Sequence, residues 1–159
     1  MLEIPGDSIN HKKLTLREKR GKVEDMENLK FLLEKATNNE LDSEKPIVII
    51  YYPGKDRCNS GGTATEESTK TWFKNLETGV DDIAQTKPIY IYKDSDGLER
   101  NKSWLAWHKD PEGVIEKLFF KHHYPCNSFV VISKNSEYIS YFGEFGMQHV
   151  WEATLLMSD

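Results

Sequence analysis

Stretches of apolar and amphipathic sequence alternate along the chain and predict an α/β protein. Residues 46–52, PIVIIYY, are a continuous apolar run, which is typical of a strand that is covered on both faces of a sheet. Residues 23–39 place leucines at helical spacing behind an acidic first turn and predict an amphipathic helix. Residues 66–84 predict a second helix, for which Thr63 or Thr65 is a suitable N-cap.

Shorter segments complete the pattern. They are an edge strand at 12–18, a strand at 87–95, a helical region at 97–124 interrupted near Asp110-Pro111, a hairpin at 128–145 that turns at Asn135-Ser136, and a closing helix at 146–157. The order β-α-β-α-β-α-β-β-α predicts a central mixed sheet with helices on both faces. We expect a flexible segment at 1–13 and a single domain at 14–159.

Composition narrows the class of partner. The 159 residues are 38% hydrophobic, which is enough for a core, and the net charge of -5 comes from mixed signs spread along the chain. This distribution argues against a nucleic-acid partner. No apolar run reaches the roughly 20 residues of a membrane helix, and no signal peptide is visible. The compartment stays open: periplasmic or secreted if a leader was removed, and otherwise cytoplasmic.

The two cysteines are the most informative residues for chemistry. Two are too few for a disulfide scaffold or a structural zinc site, but they are enough for one bridge or one redox pair. Cys58 follows the apolar strand in the polar turn GKDRCNSGG, ahead of a predicted helix. Lys55, Arg57 and a helix N-terminus would favour its thiolate, and Asp56 would oppose it. The alternative is an inert small residue at a turn.

From about residue 14 to its end, the chain resembles the thioredoxin-like fold superfamily. In that superfamily a strand such as IVIIYY runs into a loop that presents a nucleophilic cysteine at the start of a helix. Residues 124–145 resemble the family's cis-proline loop and closing hairpin, with Gly143 at a position where the family often has glycine. Two features depart from the family. The second cysteine of Cys-x-x-Cys is absent, since Gly61 occupies its place, and Pro125 lies about two residues further from the hairpin than usual.

The resemblance implies a set of site residues. Cys58 would be the nucleophile, and Cys126 would lie against it and replace the missing resolving thiol. Arg57, Tyr124 and Pro125 would contact the substrate. Thiol–disulfide exchange of this kind needs no cofactor and no metal, and its partner would be a protein thiol or disulfide.

Other interpretations remain open. YYPGKDRC is similar to the stretch before a peroxiredoxin's reactive cysteine, although Lys55 stands where that family has Thr or Ser. Both cysteines with His122 or His123 could hold copper, as in copper-chaperone relatives of the fold, or the histidines could simply be solvated. Trp104 and Trp107, three positions apart, could share a helical face, either packed in the core or exposed as a platform for a peptide.

Two functions therefore compete. The first is a thiol–disulfide redox protein that uses Cys58, resolved by Cys126. The second is a redox-inactive binding module of the same fold, in which both cysteines are free or form a structural disulfide.

Overall fold

A six-stranded mixed sheet with helices on both faces organises the chain. The computed structural model describes residues 2–5, 12–15, 17–56, 58, 65–98 and 104–158. The strands are β1 (Leu2–Pro5), β2 (Lys12–Thr15), β3 (Glu18–Lys22), β4 (Ile47–Tyr52), β5 (Ile89–Tyr92), β6 (Trp107–Lys109), β7 (Ser128–Ile132) and β8 (Glu137–Tyr141). The helices are α1 (Met26–Thr37), α2 (Glu66–Ala84), α3 (Val114–Phe119) and α4 (Met147–Leu156).

The main sheet has the order β3-β8-β7-β4-β5-β6. β4 lies inside it, parallel to β5 and antiparallel to β7, and β6 adds a further parallel strand at the edge. The predicted mixed sheet is therefore confirmed, with the apolar run as an interior strand.

Alternation along β4 divides the core into two layers. Ile49 and Tyr51 pack on the face covered by α1 and α3, whereas Val48 and Ile50 pack on the face covered by α2 and α4. All six residues of β4 are buried, which explains why its sequence is apolar throughout.

The two long helices begin and end as their sequences indicate. The Asp25 carboxylate caps α1 by accepting from Asn28 N, and Asn38 ends the helix in the left-handed conformation. The N-cap of α2 is Thr65, whose hydroxyl accepts from Ser68 N at 3.0 Å; Thr63 lies outside the described residues. These ends confirm the predicted helices.

A close helix contact supports the second layer. The indole of Trp151 on α4 lies directly against Gly79 of α2 and donates to Leu76 O at 3.2 Å. A Cβ at position 79 would lie 2.2 Å from Trp151 Nε1, so this contact requires glycine.

Within residues 104–110 the predicted helix is wrong. Trp107–Lys109 form β6, which pairs in parallel with Tyr90–Tyr92 of β5. Hydrogen bonding to an open sheet edge outweighs the local helical pattern of this short segment. Pro111 opens a 3-10 turn that leads into α3, at the interruption predicted near Asp110-Pro111.

The opening edge strand also differs from the prediction. β2 pairs with β1 in a separate two-stranded sheet, while the edge of the main sheet is β3, antiparallel to β8. The flexibility expected for residues 1–13 stays a prediction. None of the described helices combines the length and apolar composition required to cross a bilayer.

Candidate functional site

A disulfide joins Cys58 to Cys126, 68 positions apart in the sequence. The two Cα atoms lie 5.1 Å apart, within the usual range for a bridge. Cys58 is exposed and Cys126 is half-buried. The predicted meeting of the two cysteines is therefore confirmed, whereas the catalytic role assigned to them stays a prediction.

Strand register brings the two cysteines together. β4 and β7 are antiparallel, and Tyr51 near the end of β4 pairs with Ser128 at the start of β7. The loop that leaves β4 and the loop that enters β7 therefore meet at the same end of the sheet. Cys58 follows the first loop and is helical, and Cys126 lies on the second loop.

Asp56 forms a second link between these loops. Its Oδ2 accepts a hydrogen bond from Cys126 N at 3.1 Å and lies 2.7 Å from His123 Nε2. Cys126 has a φ of 63°, a left-handed conformation that is uncommon for a residue with a side chain. The carboxylate that was expected to oppose the thiolate thus also holds the backbone of Cys126.

Glu144 completes the surroundings of the disulfide. One of its carboxylate oxygens and the sulfurs of Cys58 and Cys126 all lie within 4.8 Å of one another. Glu144 is not among the site residues that the sequence predicts. The available signal was its neighbour Gly143, singled out for its position after the last strand.

The backbone around Glu144 is held from two sides. Gly143 adopts a φ of 77° and donates its N–H to the buried Ser128 hydroxyl at 2.9 Å. Arg17 Nη1 donates to the carbonyl oxygen of Glu144, also at 2.9 Å. These contacts fix the turn after β8 beside the disulfide.

A cleft of about 440 Å³ opens next to Cys126. Aromatic side chains form much of its wall, together with several polar residues. The lining residues are Ser68, Thr69, Trp72, Phe73, Cys126, Asn127, Glu144 and Phe145. An apolar cleft with a few polar groups is the usual form of a binding site.

The residues expected to contact a substrate have different environments. Tyr124 is only 6% exposed and stacks on Phe142 with ring centroids 4.5 Å apart; its burial raises the pKa of its hydroxyl. Tyr124 therefore offers little surface to a substrate. Pro125 is half-buried and its peptide bond with Tyr124 is trans, as are all peptide bonds in the described part of the chain. Arg57 lies outside the described residues. Substrate contact by these three residues stays a prediction.

The histidines and tryptophans named in the alternative interpretations each contact other side chains. His123 pairs with Asp56, and the His122 ring packs edge-on against Tyr124. Trp107 lies on β6 and contacts Tyr90, whereas Trp104 contacts Phe73. The predicted shared helical face is wrong, and both indoles pack against the second core layer.

None of the family models, curated proteins or solved structures with which the chain was compared matches it, so the disulfide, its carboxylates and the cleft are what indicate a function.

Proposed function

We propose that the protein is a thioredoxin-like thiol–disulfide redox protein that exchanges electrons with other proteins through Cys58 and Cys126. The observation that carries the proposal is the position of the disulfide: Cys58 is exposed, and its partner Cys126 lines the aromatic cleft. An incoming thiolate needs access to one sulfur, and a protein partner needs a surface beside it.

The arrangement of strands supports the thioredoxin-like part of this proposal. The chain passes from the interior strand β4 into the cysteine loop, continues through α2, and returns to the sheet as β5, parallel to β4. The terminal hairpin of β7 and β8 joins the same sheet. The resemblance implied a strand, a cysteine loop, a helix and a closing hairpin, and Cys126 lies two residues before that hairpin.

The exchange proceeds in two steps. A partner thiolate attacks Sγ of the exposed Cys58, a new S–S bond forms, and Cys126 leaves as a thiolate that takes up a proton. A second partner thiolate then attacks the partner's sulfur in this mixed disulfide and releases the Cys58 thiolate. The partner loses two electrons as its disulfide forms, and the protein gains them as two thiols. The reverse sequence reduces a partner disulfide.

The cleft supplies the contact with the partner. Trp72 and Phe145 pack with ring centroids 6.1 Å apart in the wall of the cleft that contains Cys126. An apolar side chain beside the partner's cysteine would bury surface there. This contact would hold the attacking sulfur in line with the S–S bond that breaks.

Two contacts favour the competing function, a binding module in which the bridge is a structural staple. Asp56 binds the backbone of Cys126, and a Glu144 oxygen lies within 4.8 Å of both sulfurs. The negative charge of Glu144 opposes the departure of a thiolate, and the bond from Cys126 N to Asp56 holds Cys126 in place, so both contacts stabilise the closed bridge. The redox and structural functions therefore differ in how readily the bridge opens.

The reduction potential of the bridge distinguishes them. The oxidised protein is equilibrated in dithiothreitol and glutathione buffers, alkylated, and analysed by mass spectrometry. A redox protein should open between about -180 and -300 mV, whereas a structural bridge opens below about -300 mV. A Cys126→Ser variant should also trap a mixed disulfide through Cys58, and a Cys58→Ser variant should trap much less. A potential below this range, with equal trapping by both variants, overturns the redox function.

A further inference from the structure

The groups around the disulfide form a potential set of metal ligands once the bridge opens. In the reduced protein the two sulfurs become thiols, and a Glu144 oxygen lies within 4.8 Å of both of them in the bridged state. We propose that the reduced protein binds one Zn²⁺ through Cys58, Cys126 and Glu144. This site goes beyond the proposed exchange reaction, because it requires only that the bridge can open.

The chemistry of these donors fits zinc. Thiolate sulfur binds Zn²⁺ at about 2.3 Å and carboxylate oxygen at about 2.0–2.2 Å, in tetrahedral geometry. Two thiolates on one tetrahedral zinc lie about 3.8 Å apart, so the sulfurs need only a small separation from their bonded positions. The 5.1 Å between the Cα atoms allows this without large movement of either loop. Three protein ligands leave a fourth position for water.

Charge provides a second argument. With both thiols ionised, Cys58, Cys126 and Glu144 would place three negative charges close together, an arrangement that a divalent cation stabilises. Binding replaces two S–H bonds with two Zn–S bonds and releases two protons. The oxidised protein has no thiolates, so the bridged form should not bind.

The structure also selects Glu144 over the histidines considered earlier. His123 already contacts Asp56 at 2.7 Å, and His122 packs against Tyr124. The backbone of Glu144, in contrast, is fixed beside the sulfurs by Arg17 and Ser128 through the bonds to Glu144 O and Gly143 N. The fixed backbone limits the entropy lost on binding to the torsions of the Glu144 side chain, which is exposed.

Cobalt(II) is the probe for this site. The protein is reduced, desalted without oxygen, and its thiols are counted to confirm two per chain before Co²⁺ is added. We expect one Co²⁺ per chain, with the visible bands of tetrahedral cobalt and thiolate-to-metal charge transfer, and displacement by one equivalent of Zn²⁺. The oxidised protein, folded and unmutated, should show none of these bands.

Glu144→Gln tests the third ligand, and Glu152→Gln, an exposed carboxylate on α4, is the matched control. Glu144→Gln should weaken cobalt binding by at least about tenfold. Substitutions of residues that only contact a metal ligand already cause a loss of this size. Glu152→Gln and His123→Gln should bind as the wild type does. Equal cobalt affinity in Glu144→Gln and Glu152→Gln overturns the assignment. So does a result in which His123→Gln binds cobalt more weakly than the wild type and Glu144→Gln binds it equally well.

The thiol count separates this proposal from the redox function. Two counted thiols without cobalt binding overturn the zinc site alone and leave the exchange reaction standing. A bridge that stays closed in excess reductant overturns both.

Discussion

The carboxylate of Asp56 accepts a hydrogen bond from the backbone N–H of Cys126, with Oδ2 3.1 Å from N. Asp56 lies two positions before Cys58, so this bond joins the two cysteine loops independently of the disulfide. We expect the loops to stay together when the bridge is open. Cys126 would then remain close enough to resolve a mixed disulfide on Cys58 or to share a metal ion with it.

Removing this carboxylate should loosen the site. Asp56→Ala leaves Cys126 N–H and His123 without their acceptor, and we expect the free energy of unfolding to fall by about 1–3 kcal/mol. Asp56→Asn retains an acceptor oxygen and should lose less. Urea unfolding of the oxidised and reduced proteins measures both variants. An Asp56→Ala protein as stable as wild type in both states would show that the contact does not hold the loops.

The disulfide should contribute strongly to stability. Closing a loop with a sequence separation of 68 stabilises the folded state by about 4 kcal/mol in the chain-entropy model. Urea unfolding with and without reductant measures this difference on the unmutated protein. A difference below about 1 kcal/mol would mean that the unfolded chain stays compact even when the bridge is reduced. It would count against the structural-staple function.

The cleft should affect protein partners but not small thiols. Trp72→Ala removes an aromatic wall beside Cys126, and we expect the rate of exchange with a protein disulfide to fall about tenfold, or about 1.4 kcal/mol in the barrier. Exchange with dithiothreitol should be unchanged, because that molecule does not need the cleft. Phe31→Ala, an exposed position on α1, is the control. Equal loss with both reagents would indicate that Trp72 acts on the fold and not on docking.

Stability should depend on pH through Asp110. This residue is 7% exposed, and its carboxylate accepts from Ile115 N and Glu116 N at 2.9 Å each, capping α3. Burial raises the pKa of Asp110, although these two N–H groups oppose the shift. The folded state therefore holds the proton more tightly than the unfolded chain, whose value is about 3.9. The resulting stability is present below that pH and is lost as the pH rises through the folded pKa.

Asp110→Asn isolates this effect, because an amide does not titrate. The substitution also removes part of the cap, since one carboxylate oxygen becomes an NH₂ group, so the variant should be less stable at every pH. The informative quantity is the difference between the two proteins in free energy of unfolding. In a pH series that starts near pH 4, this difference should favour the wild type most at the acidic end. The difference should shrink as the pH rises. A difference that grows with pH would contradict the assigned direction.

Local sequence predicted the elements whose burial follows a regular period. The apolar run of β4, the spacing of leucines in α1 and the turn between β7 and β8 each reflect which side of a strand or helix faces the core. Such a signal requires only neighbouring residues. The prediction failed at Trp107, because a three-residue segment is too short for its hydrophobic pattern to distinguish a strand from a helix. Pairing with the edge of β5 decided the outcome.

The sequence by itself determined that this is an α/β chain with two cysteines, one of them after an apolar strand. Tertiary structure decided that Tyr51 pairs with Ser128, and that register brings Cys58 to Cys126. It also placed Glu144 beside the sulfurs and turned Asp56 towards His123. These contacts join residues that are far apart in the sequence, and their geometry depends on the order of strands in the sheet, which no local period encodes.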